Sequence, residues 1–208
     1  MDDAQDIDAA LVAACFEEIG ARGWARLSIP AAARAAGLPL DAARRRIPDR
    51  CALLLRFGAM ADAFALKDAP AEGSERDRLF DLVMRRIDFL QAHRAGVIAL
   101  LRALPFDPLA ATLLAGASLR SMAWLLEAAG CGGTGPRGGL RAAGLLAVWG
   151  YTVQAWQRDD SADLSATMAA LERALSRAGQ AAGWLSPRRD AAPEPDPAPD
   201  APFTEQEG

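Results

Sequence analysis

The sequence predicts an all-helical protein of about nine helices, a small N-terminal helix-turn-helix unit followed by a larger helical bundle. Apolar residues recur every three or four positions along most of the chain, and no stretch alternates with the period of two that marks a strand. Of the 208 residues 51% are hydrophobic but only 6% aromatic, and Ala and Leu, both strong helix formers, dominate. Within residues 23–55 two short helical segments meet at a tight glycine turn and a third helix follows.

The first helix is expected over residues 6–22. Ile7, Leu11, Ala14, Cys15 and Ile19 fall on one face with Val12 and Phe16 beside them, while Glu17, Glu18 and Arg22 face solvent. Cys15 on the apolar face reads as a small core residue. Ser28 is placed to cap the second helix, with Pro30 at an early helical position where its missing N–H costs little. Gly37 sits where a helix ends at positive φ. Helix resumes over Leu40–Arg46, Pro48 stops it, and Asp49 caps the helix that begins at Arg50 and runs to Leu66 with Leu53, Leu54, Phe57, Met60, Ala61 and Phe64 on its apolar side.

At these residues the chain resembles the TetR family of bacterial repressors. Gly23-Trp24, Ser28-Ile29, Ala32-Ala33, Ala36-Gly37-Leu38, Ile47 and Arg50 occupy, in order and at matching spacing, the places of that family's N-terminal pattern. The resemblance is specific over roughly the first third of the chain and architectural beyond it. It departs at Asp41, where the family usually has Gly, and at Arg44, where it usually has Tyr. It implies a DNA-binding second helix carrying Arg44, Arg45 and Arg46, with Ser28 and Arg50 on phosphates. It also implies a ligand cavity among helices 5 to 8, and pairing of subunits through the last two helices.

Between residues 66 and 74 the composition reads as a loop, with Pro70 and Gly73 as breakers. Ser74 caps a fifth helix whose inner stripe is Leu79, Leu82, Val83, Ile87 and Leu90, flanked by Phe80, Met84 and Phe89. Acidic residues at its start and His93-Arg94 at its end suit the helix dipole. A short sixth helix over about 96–103 stops before Pro105, and Asp107-Pro108 opens a seventh that runs to about 129. Residues 130–139 are too glycine-rich to read as anything but a loop, and they lack both the GxGxxG order and the Lys-Ser/Thr of a phosphate-cradling loop. An eighth helix begins at Pro136 or Leu140 and ends near 158. Ser161 or Asp163 caps a ninth, reaching about 182, with the stripe Leu164, Met168, Leu171 and Leu175. Three units follow: 1–66, 74–185, and an acidic, proline-rich tail over 186–208 that cannot repay its ordering entropy.

Charge and cysteine usage exclude several classes. The net charge is −4, and residues 186–208, with two arginines against six acids, carry all of it. Residues 1–66 hold eight arginines against nine acids, so DNA affinity has to come from local clustering. Three unspaced cysteines and a single histidine argue against a zinc site and fit a reduced, cytoplasmic setting. The acidic N-terminus has no signal-peptide order, and the longest apolar run, near 144–156, is too short to span a membrane, so no stable membrane insertion is expected. His93 alone is a poor basis for a catalytic triad, and nothing points to an enzyme or a cofactor.

Two functions remain. The first is a repressor of the TetR type that holds a double-stranded DNA operator and is released by a small apolar ligand. Its DNA-binding residues are Ser28, Arg44, Arg45, Arg46 and Arg50, and its pocket candidates are Met84, Phe89, Met122, Trp124, Trp149 and Tyr151. Its homodimer interface is expected near Trp156, Leu164, Met168, Leu171 and Leu175, the plain alternative being that those stripes pack inside one chain. The second comes from Trp156, Asp159-Asp160-Ser161, Asp163, Thr167 and Leu171, which are similar to the ending of a family of TetR-like fold. Members of that family bind lipid or isoprenoid, assist ubiquinone biosynthesis and no longer bind DNA. An arginine run on a solvated helix face is the plain alternative to both.

Overall fold

A computed structural model describes residues 2–69 and 72–185, and among these are nine α-helices and no strand. They are α1 (Asp2–Arg22), α2 (Ile29–Ala35), α3 (Leu40–Arg46), α4 (Arg50–Leu66), α5 (Glu75–Ala92), α6 (Arg94–Ala103), α7 (Pro108–Ala128), α8 (Gly135–Trp156) and α9 (Ser165–Leu185). Pro70 and the expected tail over 186–208 lie outside the described residues.

The first four helices form where local chemistry places them. Ser28 Oγ accepts from Ala31 N at 3.4 Å at the start of α2, and Asp49 Oδ1 accepts from Ala52 N at 2.8 Å at the start of α4. Gly37, at φ 69°, closes α2 in a double turn: Leu38 N donates to Ala33 O at 2.9 Å and Gly37 N to Arg34 O at 3.0 Å. A residue with Cβ would be strained at that φ, so the turn between α2 and α3 depends on the glycine. Ala32, Ala33, Ala43 and Ile47 are buried, which leaves the opposite side of α3 open to solvent.

Above this unit α1 lies close along α6, with Gly20 and Gly96 at the crossing, and α4 continues upward to pack against α5 and α7. A capping box between Ser74 and Asp77 starts α5, and Asp107 caps α7 by accepting from Ala110 N at 3.0 Å. The buried apolar residues form one cluster running from Leu11 to Leu175, so the N-terminal helices and the bundle share a continuous core.

Several boundaries differ from the sequence expectation. The eighth helix begins at Gly135, inside the glycine-rich stretch read as a loop. A first turn has no intrahelical acceptors for its N–H groups, so Pro136 fits there, and a Cβ on Gly138 would collide with the Gly133 carbonyl. α6 starts at Arg94 rather than 96, with His93 serving as both the C-cap of α5 and the N-cap of α6. α7 is also more apolar than the sequence reading held. By length and composition it could cross a membrane, and only 33% of its apolar window is buried, although it packs along α4 and α8 as part of the bundle.

The connection from α8 to α9 is held by the residues that carried the second resemblance. Asp159 accepts from Ser161 N and from Thr167 N and Oγ1, the last two at 2.7 Å, and its hydroxyl and amide donors hold its carboxyl far below the usual carboxylate range. Trp156 Nε1 donates to Gln91 at 2.8 Å, and Arg94 stacks on the Trp156 ring at 4.9 Å while donating to the Trp156 and Asp159 carbonyls. Leu164 is driven into a left-handed conformation, φ 54°, to enter the core just before α9. This motif therefore works as a structural staple between α5, α6, α8 and α9.

Candidate functional site

The exposed side of α3 is the surface a helix-turn-helix would offer to DNA. Arg44 and Arg45 stand on it, with Leu40 and Asp41 one turn earlier and Arg34 projecting from α2. Arg44 donates back to the Pro48 carbonyl at 2.7 Å and Arg45 to Asp41 at 2.7 Å, both at the exposed surface. Such exposed contacts contribute little and exchange readily for a phosphate. Arg46 differs. It turns inward to Asp8, at 2.9 Å, which Arg56 also approaches at 3.4 Å, and Asp8 is only 7% exposed. Of the arginine run, two side chains face outward and the third binds α3 to α1.

Ser28 is exposed at the start of α2, with its hydroxyl already used as the cap. Arg50 is turned away from solvent. It lies over the Trp24 ring at 5.7 Å and donates to the carbonyls of Ala25 at 2.8 Å and Leu27 at 3.2 Å, clamping the turn that leads into α2. Trp24 in turn donates from Nε1 to Asp107 Oδ2 at 2.9 Å, and Asp107 is the cap of α7. One chain of contacts therefore joins the turn before α2 to the cap of a bundle helix. No residue pattern in the sequence foretold that link, because Trp24 and Asp107 are 83 positions apart.

A partly open cavity of about 70 Å³ lies among α4, α5, α6, α7 and α8, lined by Leu54, Phe57, Leu90, Leu100, Trp149 and Val153, with Arg86 and Ser118 as its polar members. A larger space of about 260 Å³ lies between the end of α7 and the start of α8, but it is an open groove lined by Leu119, Arg120, Leu126, Glu127 and four glycines among others. The apolar chamber among the five helices is the more recessed of the two. Of the pocket residues expected from the sequence, only Trp149 lines it. Met122 is fully buried core, Met84 and Phe89 are half-buried, and Trp124 and Tyr151 are surface residues at 67% and 42% exposure. Choosing by size favoured aromatics, whereas a cavity sits where the small residues Gly58, Ala61 and Ser118 leave room.

The residues expected at a dimer interface are mostly buried within the chain itself. Trp156 and Leu171 are 0% exposed and Leu164 and Leu175 are buried, because α8 and α9 turn these faces on each other and on α5; Met168 is half-buried. The outward faces carry Ala143, Ala147, Tyr151 and Gln154 on α8 and Ala166 and Ala169 on α9.

Other titratable groups have structural surroundings. Cys15 is wholly buried and its thiol is pushed up to about 12, chiefly by burial and secondarily by Glu18. His93 sits among Phe16, Phe57 and Phe89, with ring centroids 5.5–5.8 Å away, and burial lowers its pKa, the reverse of what the helix-end reading implied. Among the described residues no group of three or more His, Cys, Asp or Glu could hold a metal ion.

No protein-family model and no curated protein matches the sequence. Among solved structures, the chain is similar to a TetR transcriptional regulator from Nitrosomonas europaea ATCC 19718, with a TM-score of 0.69 at 20% identity. The match covers 83% of this chain and 98% of that one. The fold is thus TetR-like over nearly the whole of the described residues, in keeping with the resemblance read from residues 23–50.

Proposed function

We propose that the protein is a ligand-responsive DNA-binding regulator, with α3 as the reading helix. The observation that supports it is the outward, uncommitted face of α3: Arg44 and Arg45 are exposed and held only by contacts that a phosphate or a guanine edge would replace. The Trp24–Asp107 hydrogen bond supplies a physical route by which a change in the bundle reaches the turn before α2. Ser28 reaches a phosphate from the start of α2, while Arg46 and Arg50 serve by holding the unit's shape. A mobility shift against the protein's own upstream region at low salt tests this. Arg44→Ala with Arg45→Ala is expected to abolish the shift, and either single change to lower the slope of affinity against salt by roughly one per lost phosphate contact. Arg46→Ala is expected instead to weaken folding, since it leaves buried Asp8 short of a partner. An unaltered shift in the double variant would remove α3 as the reader.

Regulators that read two half-sites pair as dimers, and we place that pairing on the outward faces of α8 and α9. Ala147→Glu is expected to give a folded monomer by light scattering at micromolar concentration. Leu171→Glu, which buries a charge inside the subunit, is expected to unfold the chain rather than split it. A dimer that survives Ala147→Glu would shift the interface elsewhere.

A second reading, a lipid-binding accessory protein of ubiquinone biosynthesis, is favoured by α7, whose Leu109, Leu119 and Trp124 are exposed on a predominantly apolar helix. Lipid that co-purifies with the protein, together with no DNA shift at any salt, would decide for it.

A further inference from the structure

Asp41 is an unexpected residue on a helix offered to DNA, because a carboxylate there repels the phosphate backbone. Its place in the first turn of α3 suits the helix dipole, which explains why it is tolerated but not what it holds. Ala43 is 2% exposed and fixes the inner side of α3. At about 3.6 residues per turn, the residues two before and two after Ala43 lie nearly opposite it and beside each other. These are Asp41 and Arg45, both exposed, and together they form the outermost line of the helix. Arg45 Nη1 donates to Asp41 Oδ2 at 2.7 Å. That bond holds the Asp41 carboxyl below the usual carboxylate range, so it stays ionised at neutral pH. Arg44 lies roughly a quarter-turn from Ala43, on the flank, with Nη1 on the Pro48 carbonyl.

We propose that Asp41 is a specificity-determining residue, which holds the Arg45 guanidinium so that its Nε–Nη2 edge meets O6 and N7 of one guanine in the major groove. The inference rests on the reading of α3 as the DNA-contacting helix and names the base that helix selects. Asp41 engages Nη1, and Nε with Nη2 forms the other edge of the planar group, two parallel donors suited to a bidentate contact. Asp41 therefore need not be displaced when the base is bound. Guanine presents two acceptors on its major-groove edge, whereas adenine sets one acceptor beside a donor. An arginine without a tether takes a phosphate as readily as a base, and a phosphate contact carries no sequence. In water the Asp41–Arg45 pair contributes little, but a groove that excludes water strengthens it. Arg44, on the flank, is the arginine left for a phosphate.

Selection of binding sites from a random duplex library by the purified full-length protein tests the pair, followed by titration of the selected duplex and its single-base variants. Wild-type sites are expected to share a guanine at one fixed position, and its replacement by adenine to weaken binding about tenfold or more. Arg45→Lys keeps the charge but not the fork, and is expected to cut that preference below about threefold. Asp41→Ala is expected to cut it similarly while raising affinity for unrelated duplex, because a negative charge leaves the phosphate-facing surface. Arg44→Ala is expected to weaken all duplexes alike and leave the guanine preference in place. All three residues are exposed, so the melting temperatures of the variants are expected to hold. A guanine preference that survives Asp41→Ala, with every duplex bound more tightly, would overturn the positioning role and leave Asp41 a repulsive charge. Selected sites with no shared guanine would also overturn it, while leaving α3 as the reader if Arg44→Ala with Arg45→Ala still abolishes binding. A wild-type protein that enriches no site at low salt would overturn both the pair and the α3 reading.

Discussion

Asp62→Ala is expected to lower stability by about 3–5 kcal/mol, the usual cost of stripping the partner from a buried cation. The Arg86 side chain is 5% exposed and that of Asp62 23%, so the pair sits at the inner edge of α4 and α5 rather than in free solvent. Burial lowers the Arg86 pKa to about 10, which still leaves it charged at neutral pH. Without Asp62 it retains only the Trp149 ring as a favourable neighbour, because Nε has no acceptor to begin with. Ser121 loses an acceptor too, but keeps its bond to the Ala117 carbonyl at 3.2 Å. Urea denaturation followed by circular dichroism measures the loss. The double variant Asp62→Leu with Arg86→Met provides the control, since an apolar pair of similar volume is often neutral or better. A double variant as unstable as Asp62→Ala alone would show that steric packing, and not the unpaired charge, sets the cost.

This pair also shows what could be read in the sequence and what could not. Arg86 falls on the inner stripe of α5, between Val83 and Leu90, so a charge on the apolar face was visible as an anomaly. Its partner was not, because Asp62 lies on another helix and only the packing angle of α4 on α5 brings them together. The same division runs through the chain. Ser28, Gly37, Asp49, Ser74 and Asp107 announce caps and turns through contacts within a few residues, and each stands where expected. The arginine run was legible as a cluster, but the inward turn of Arg46 depends on Asp8, 38 positions away. The apolar stripe of α9 was legible as a stripe. Whether it meets its own subunit or a second one is a question of tertiary packing, to which helical periodicity is blind. Trp156 and Leu171 are buried within the chain, a placement that only the packing of α8, α9 and α5 determines.

Gly96→Ala is expected to destabilise by about 3 kcal/mol, at the upper end of what one added methyl group costs in a packed interior. Gly96 lies on α6 where it crosses α1, and a Cβ there would fall far inside 3.0 Å of the Phe16 carbonyl oxygen and against the Phe16 ring. The oxygen belongs to helical backbone and cannot swing aside, so α6 has to move off α1. That movement loosens the stack of Phe16 on Phe57, whose centroids are 4.0 Å apart, and the cage around His93. In a helix interior the same change would otherwise stabilise by roughly 0.5–1 kcal/mol, so its sign alone reports the close approach. Gly20, on the other side of the crossing, gives the comparison. Its added Cβ would meet Ala95 Cβ at 3.1 Å and Gly96 N at 3.2 Å, a tight contact that a small shift relieves. Gly20→Ala is therefore expected to change the melting temperature by only a degree or two, against a fall of roughly 10 °C for Gly96→Ala in a chain of this size. Equal melting temperatures for the two variants would mean that α1 and α6 are not held at this separation. The connection from the helix-turn-helix to the bundle would then rest on α4 and on the Trp24–Asp107 hydrogen bond alone.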